Sequence, residues 1–429
     1  MKLIKITLFH LLCSVSVFSQ SHTKTFNFGT ETSGKSGTSI TKPIAYTDEL
    51  GYGFDFNTAQ YATLNEQSLT SNKGIYFSVK LPEGNYKIDL VLGANEASTT
   101  TVKAESRRLM LNEVTLKKHQ TANKSFVVNV RTPKINSHSV ITVKDREKDD
   151  LNWDDRLTLE FLGQPAVKSI TITPVSSVTT VFLAGDSTVT DQDIEPWASW
   201  GQFITAYFNN SVSIANFANS GESLQSFKSR KRFEKILSII QPGDYLLIEF
   251  GHNDEKIKGE GNGAWGLYTN LLKEFITECR AKKAIPVLLT PTQRRAFETN
   301  GTLKPTHGDF PNAMRQVAKD LDVPLIDLTK MTTVLYESWG DEISRKAFVQ
   351  YPANTFPGQT KALEDNTHFN SFGANEIAKC VVKGIQDLKL PLKDALLQPL
   401  NYNPSHPDNY KNWTLPLSSR FENTKPDGN

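Results

Sequence analysis

Four short polar motifs in the second half of the chain carry residue types that together could open an ester. They are Gly185-Asp-Ser-Thr188, Asn219-Ser-Gly-Glu-Ser223, Gly251-His-Asn-Asp254 and Asp365-Asn-Thr-His368. A serine hydroxyl is a weak nucleophile until a base takes its proton. A histidine three residues after an aspartate can rest its Nδ1 hydrogen on that carboxylate while its Nε2 reaches the hydroxyl. Ser187 is therefore the candidate nucleophile, His368 the base and Asp365 its orienting acid. Attack on an ester carbonyl creates an oxyanion, which needs donors already aimed at it. The backbone N–H of Ser187, that of Gly221, where no Cβ obstructs, and the side-chain amide of Asn253 are the candidates. Each residue alone has a blander reading. Gly221 can be a turn glycine, Ser187, His252 or Asn253 a helix cap, and Asp365 a surface residue. The order and number of the motifs favour catalysis.

Such a set works only if the fold converges it. Apolar runs of strand length span Val181 to Ala184, Val212 to Phe217, Tyr245 to Phe250, Ile285 to Thr290 and Val323 to Asp327. The first three lead directly into the first three motifs. Between the runs lie helical stripes: Phe233, Ile236, Leu237 and Ile240; Tyr268, Leu272, Phe275, Ile276 and Cys279; Met314, Val317, Ala318 and Leu321. A last helix is predicted from about Gly373 to Leu388. Five strands with helical crossovers predict a parallel three-layer α/β domain over residues 178–390, with the motifs on its carboxyl edge. Residues 391–429, rich in Pro, Asn and Ser, are expected to form an irregular tail, packed over the domain or mobile.

Residues 21–168 have a different texture. Phe77, Val79 and Leu81 alternate with polar residues, Pro82-Glu-Gly-Asn85 intervenes, and Tyr86, Ile88, Leu90 and Leu92 alternate again, which predicts a β-hairpin. Phe126 to Val130, Val140 to Val143 and Leu157 to Phe161 are further candidate strands, so an all-β sandwich is expected. Its acidic loop carries Asp149, Asp150, Asp154 and Asp155, which could supply oxygen ligands to a structural Ca²⁺, although a solvated loop is the plainer reading. Trp153 and Tyr86 could stack on a sugar ring or fill the core.

The first 20 residues place Lys2 and Lys5 before an apolar run from Ile6 to Phe18, the layout of a secretory signal peptide. Export to the periplasm or the extracellular space is the expectation. Cys13 after Leu-Leu offers a lipoprotein reading that His10 disfavours. Of 429 residues, 38% are hydrophobic and 22% charged, which fits a globular chain with two cores. Taking away Lys2 and Lys5 leaves 46 basic against 46 acidic residues, so net charge gives no reason to expect nucleic acid. No later stretch is apolar enough for membrane insertion. Cys279 and Cys380 fall at helical spacings with apolar neighbours; buried thiols are expected, and a disulfide between them stays open.

The four motifs resemble the blocks of the SGNH, or GDSL-type, hydrolases. Pro291-Thr-Gln-Arg-Arg295, His307-Gly-Asp-Phe-Pro311 and Asp365-Asn-Thr-His-Phe369 resemble the rhamnogalacturonan acetylesterase branch. Leu81 to Ile88 and Asp154 to Glu160 resemble galactose-binding-like jelly-roll modules. These resemblances imply a flavodoxin-like α/β/α hydrolase domain behind a jelly roll, and no metal. They imply Ser187, Asp365 and His368 as the triad, with Gly221 and Asn253 in the oxyanion hole. The implied partner is an acetylated plant cell-wall polysaccharide, held in part by the sandwich. An acetylxylan or other glycan esterase, a GDSL lipase, and a glycan-binding protein with an inactive hydrolase domain are the alternatives. One departure is Glu222, which follows the oxyanion glycine where members of the family often carry a basic residue. Arg294 and Arg295, just past the fourth strand, could pair with a galacturonate carboxylate. Lys228-Ser-Arg-Lys-Arg232 could draw in a polyanion or be a solvated helix start. Trp197 and Trp200 could stack on a sugar, with packing the favoured reading, and Glu249 has no assigned role.

Overall fold

A computed structural model describes residues 22–421 and 424–427. Residues 1–20, expected to be a signal peptide, and Cys13 within them lie outside the described residues. Parallel strands Thr179–Gly185, Val212–Asn216, Tyr245–Glu249, Ile285–Leu289 and Leu325–Ile326 form one sheet in the order second, first, third, fourth, fifth. Along the first strand Val181 and Leu183 enter one core, and Phe182 and Ala184 the other. A strand buried on both faces reads as a continuous apolar run for that reason. Helices Arg232–Ile239, Thr269–Ala281 and Phe310–Asp320 cover one face. Ser371–Asp387 and Leu328–Ser344 cover the other. The second of these was not expected from sequence. Cys279 and Cys380 are free and buried on opposite faces, so they do not pair.

The amino-terminal region is a sandwich of a seven-stranded and a five-stranded sheet closing on a shared apolar core. The predicted hairpin is corrected. Ile75–Lys80 pairs with Tyr52–Asp55 and Arg156–Gln164 in one sheet, whereas Gly84–Leu92 pairs with Ala122–Val130 and Ala166–Pro174 in the other. The turn at Pro82 is thus an arch between sheets. Alternation shows which side chains face inward, and an arch satisfies it as well as a hairpin does. Val140 to Val143 is not a strand; Val140 makes only an isolated bridge to Lys134. The last sandwich strand, Ala166–Pro174, runs past the expected boundary at 168, and the parallel sheet begins at Thr179.

The acidic loop does not gather into a cation site. Asp154 takes Arg156 at 3.1 Å and Asp155 takes Lys80 at 3.1 Å, so these carboxylates are matched to separate cations. Among the described residues no three acidic or other metal-binding side chains converge. Tyr86 is buried with its hydroxyl on Pro82 O at 2.8 Å. Trp153 packs edge-on against Phe217 of the α/β domain, so both aromatics are core residues.

The two regions share buried ion pairs. The turn Glu105-Ser106-Arg107, where Glu105 and Arg107 take positive φ, joins strands Ser98–Ala104 and Arg108–Leu116 and points at residues 191–197. Arg107 and Lys103 pair with Glu195, Arg108 with Asp191 at 3.0 Å, and Ser106 Oγ donates to Asp193 at 2.7 Å. Charges buried this deeply are tolerable only as matched sets, because an orphaned one costs several kcal/mol, about 3–5. The docking is therefore specific.

Candidate active site

The parallel register sets Gly185 beside Glu249 and Leu183 beside Asn216, so the turns after the first three strands open on one edge. A Cβ on Gly185 would lie 2.4 Å from Val189 Cγ2 and 2.9 Å from Glu249 O, so only glycine lets the chain turn there. The turn that follows is closed by Val189 and Thr190, whose N–H groups donate to Asp186 O at 3.1 and 3.0 Å. Ser187 thus sits in a turn, and the next helix begins only at Trp200. Asp365 and His368 lie on Leu363–Phe369, a strand paired antiparallel with Phe348–Tyr351 and bridged to Ala198 at Phe369. Asn370 caps the following helix, accepting from Gly373 N at 3.1 Å.

These elements bring the sequence-predicted trio together. Ser187 Oγ lies 2.9 Å from His368 Nε2, and His368 Nδ1 lies 2.8 Å from Asp365 Oδ2. Asp365 Oδ1 also accepts from the N–H groups of Thr367 at 2.7 Å and His368 at 2.9 Å. Burial alone would raise the Asp365 carboxyl, but the hydrogen bond and charge of His368, with the two backbone donors, outweigh it and hold it below the ordinary carboxylate value. An ionised Asp365 keeps the imidazole with Nε2 free to accept the serine proton. Trp197 packs edge-on to the His368 ring, centroids 5.8 Å apart, which fixes the ring's other side.

The three candidate oxyanion donors are arranged as follows. Asn253 Nδ2 donates one hydrogen to Glu222 O at 3.0 Å, and its Oδ1 accepts from Lys256 Nζ at 3.2 Å. An amide nitrogen carries two hydrogens, so a second remains for a ligand. Gly221 stands at φ 79°, a left-handed conformation that glycine adopts without strain. Neither Ser187 N nor Gly221 N serves as a donor in the turn and loop bonds among the described residues.

Several supporting residues were not found from sequence. Ser187 O accepts from Ser199 Oγ at 2.6 Å and from Gln192 Nε2 at 2.9 Å, which fixes the peptide that follows the nucleophile. Asp186 Oδ1 accepts from Thr188 N at 3.0 Å and Thr188 Oγ1 at 2.9 Å. Glu249 now has a place: it takes Trp200 Nε1 at 2.6 Å and contacts Thr188 Oγ1 and Thr292 N, each at 3.2 Å. Burial first, then the nearby Asp186 charge, pushes its carboxyl up to about 8. A protonated Glu249 can donate to Thr188 while Thr188 donates to Asp186, which satisfies the row. His252 lies 3.4 Å from Asp186, and burial lowers its pKa to about 4, so it stays neutral. Apart from the Asp186–Thr188 contacts within the turn, these bonds join groups from different segments, and no spacing in the sequence signals them.

The two arginines are placed differently from expectation. Arg295 is buried, pairs with Asp341, and donates to Asn366 Oδ1 at 2.9 Å and Ser344 Oγ at 3.1 Å. It supports the strand carrying Asp365 and has no fork left for a sugar acid. Arg294 is already matched to Glu255 at 2.5 Å. The basic cluster is likewise engaged: Lys228 with Glu274, Arg230 with Glu222 and buried Arg232 with Glu147.

The model of a family described as GDSL-like Lipase/Acylhydrolase matches residues 183–374. Rhamnogalacturonan acetylesterase RhgT of Bacillus subtilis (strain 168) is 46% identical over 219 residues, 51% of this chain and 94% of RhgT. Probable rhamnogalacturonan acetylesterase YesY of the same organism is 35% identical over 221 residues, 51% of this chain and 97% of YesY. Among solved structures, the crystal structure of YxiM from Bacillus subtilis aligns with TM-score 0.47 at 21% identity, covering 86% of this chain and 99% of that one.

Proposed function

The chain belongs to the GDSL-type, or SGNH, acyl hydrolases and is a carboxylic ester hydrolase, and on that premise we propose that it removes O-acetyl groups from a pectic polysaccharide, rhamnogalacturonan in the first place. The observation that carries the chemistry is the 2.9 Å contact between Ser187 Oγ and His368 Nε2, backed by Asp365. His368 takes the serine proton as Ser187 Oγ attacks the acetyl carbonyl carbon. The oxyanion is received by the N–H groups of Ser187 and Gly221 and the free N–H of Asn253. Collapse expels the sugar hydroxyl, which leaves with the proton from His368, and Ser187 carries the acetyl group. Water, deprotonated by the same histidine, then releases acetate.

The similarity to relatives named rhamnogalacturonan acetylesterases supports the choice of substrate. The signal-like pattern of residues 1–20 supports an exported enzyme that meets this polymer outside the cytoplasm. The buried pairs at Glu195 and Asp191 support a sandwich that braces the catalytic loop, in addition to any hold on the polymer. Acetate release across acetylated rhamnogalacturonan, homogalacturonan and xylan tests the reading. Fastest release from rhamnogalacturonan is expected; preference for xylan would overturn the substrate.

A further inference from the structure

The tail lies across the site. Arg420 pairs with Asp193 at 2.6 Å and its carbonyl accepts from Glu195 N at 2.9 Å, while Phe421 packs on Phe356 with ring centroids 5.3 Å apart. Beyond these anchors Lys425 Nζ stands 3.4 Å from Asp365 Oδ2, the oxygen facing His368 Nδ1. Asp427 reaches Gly221, where a Cβ would lie 2.8 Å from the Asp427 Cβ. Its Oδ1 accepts from Arg146 Nη1 at 2.9 Å, and its Oδ2 is 4.0 Å from Lys144 Nζ. A carboxylate therefore sits beside the candidate oxyanion glycine, held by Arg146, with Lys144, whose nearer partner is Glu222 at 3.0 Å, at the edge of reach.

Those cations come from the segment between the sandwich strands Ala122–Val130 and Arg156–Gln164, not from the α/β domain. Lys144 bonds to Ser220 O, and its Nζ would be 3.3 Å from a Cβ on Gly221. The segment is fixed from beneath: Glu147 accepts from Lys144 N at 3.0 Å and is itself buried against Arg232. The cleft here is also lined by Asp191, Asp193 and Trp197. Asp191 is neutralised by Arg108 and Arg131, Asp193 by Arg420, and Glu222 by Lys144 and Arg230. Asp150, also on the cleft wall, has no cation of its own among the described residues, and burial with the neighbouring Asp193 and Glu147 charges pushes its carboxyl well above the ordinary value. The Arg146 guanidinium reaches past these acids to a carboxylate.

We propose that Lys144 and Arg146 form a carboxylate subsite beside Gly221 that takes a uronate carboxylate of the substrate, and that Asp427 fills it while the tail lies across the site. This rests on the reading of the enzyme as a pectic acetylesterase. It also supplies a basic pair next to Glu222, delivered by the sandwich. A guanidinium and an ammonium together suit a sugar acid, and a neutral sugar can accept their hydrogen bonds only without the charge that strengthens them. The tail and the substrate then compete for one place.

The test measures inhibition of 4-nitrophenyl acetate turnover by digalacturonate, with galactobiose as the neutral control. Digalacturonate should inhibit and galactobiose should not. A chain ended after Arg420, and Asp427→Asn in the full chain, should each tighten the inhibition constant about threefold or more. Arg146→Ala should weaken it about tenfold or more, the size of a lost charge-assisted hydrogen bond. Calorimetric binding of digalacturonate to Ser187→Ala protein, with and without Arg146→Ala, gives the same comparison without turnover. Equal inhibition by the two disaccharides, or an inhibition constant indifferent to Arg146 in correctly folded protein, overturns the subsite. If digalacturonate inhibits through Arg146 but acetylated rhamnogalacturonan is not deacetylated, the subsite stands and the proposed polymer falls.

Discussion

Arg107, at a turn of the sandwich, donates to Gln192 O at 3.1 Å, and Gln192 Nε2 donates to Ser187 O at 2.9 Å. The amino-terminal region is two hydrogen bonds from the nucleophile. Arg107→Ala should lower kcat on 4-nitrophenyl acetate about tenfold with little change in KM, because it frees the loop that orients Ser187. It should also lower Tm by several degrees, since Glu195 loses a buried partner. Deleting residues 21–176, the whole sandwich through its last strand, should abolish turnover even of this small ester. Full activity of the deletion would show the sandwich to be only an accessory.

Asn253→Ala removes a donor from the oxyanion site. Loss of one such donor costs about 10²–10³ in kcat. Thermal stability should change less than for Arg107→Ala, because the remaining bonds of Asn253 are to Glu222 O and Lys256. A kcat within about threefold of wild type would remove Asn253 from the site.

Arg295→Ala should act at a distance. It takes away the bond to Asn366, between Asp365 and His368, and leaves Asp341 without its buried partner. A fall in kcat with unchanged KM for the acetylated polymer is expected. A rise in KM with kcat intact would restore Arg295 as a substrate contact.

Glu249 gives a pH-dependent prediction. Its carboxyl is raised from 4.5 to about 8 in the folded protein, so folding favours the protonated form. That contribution is fully present below about pH 4.5 and is lost as pH rises to about 8. Glu249→Gln cannot ionise, so its unfolding free energy should gain on that of the wild type across this window, after any constant cost of the amide. Denaturant titrations at pH 5, 6, 7 and 8 check this; a difference that stays flat means Glu249 is ionised when folded.

The sequence carried the α/β domain because its first three motifs each follow an apolar strand, and parallel pairing puts those turns on one edge; the fourth motif lies on an antiparallel strand outside that sheet and was found from its Asp-His spacing alone. Ser187, Gly221 and Asn253 were nominated from motif and position. Gln192, Ser199 and Glu249 were not, since their bonds to the nucleophile turn depend on loop paths that no periodicity encodes. The Ile75–Lys80 and Gly84–Leu92 strands were recognised as strands but assigned the wrong neighbours, because alternation fixes faces and leaves pairing open. Arg294 and Arg295 looked available in sequence; Glu255 and Asp341, which occupy them, come from distant segments. Lys144 and Asp427 were hidden for the same reason, one just before a loop noted only for its acids and the other in an irregular tail.

Acetate release from acetylated rhamnogalacturonan by wild-type and Ser187→Ala protein is the most direct measure of the central claim. The wild type should release acetate, and the variant, folded by its thermal melt, should be slower by at least about 10³, the order seen when a triad member is removed. A Ser187→Ala protein that releases acetate at an undiminished rate would contradict it.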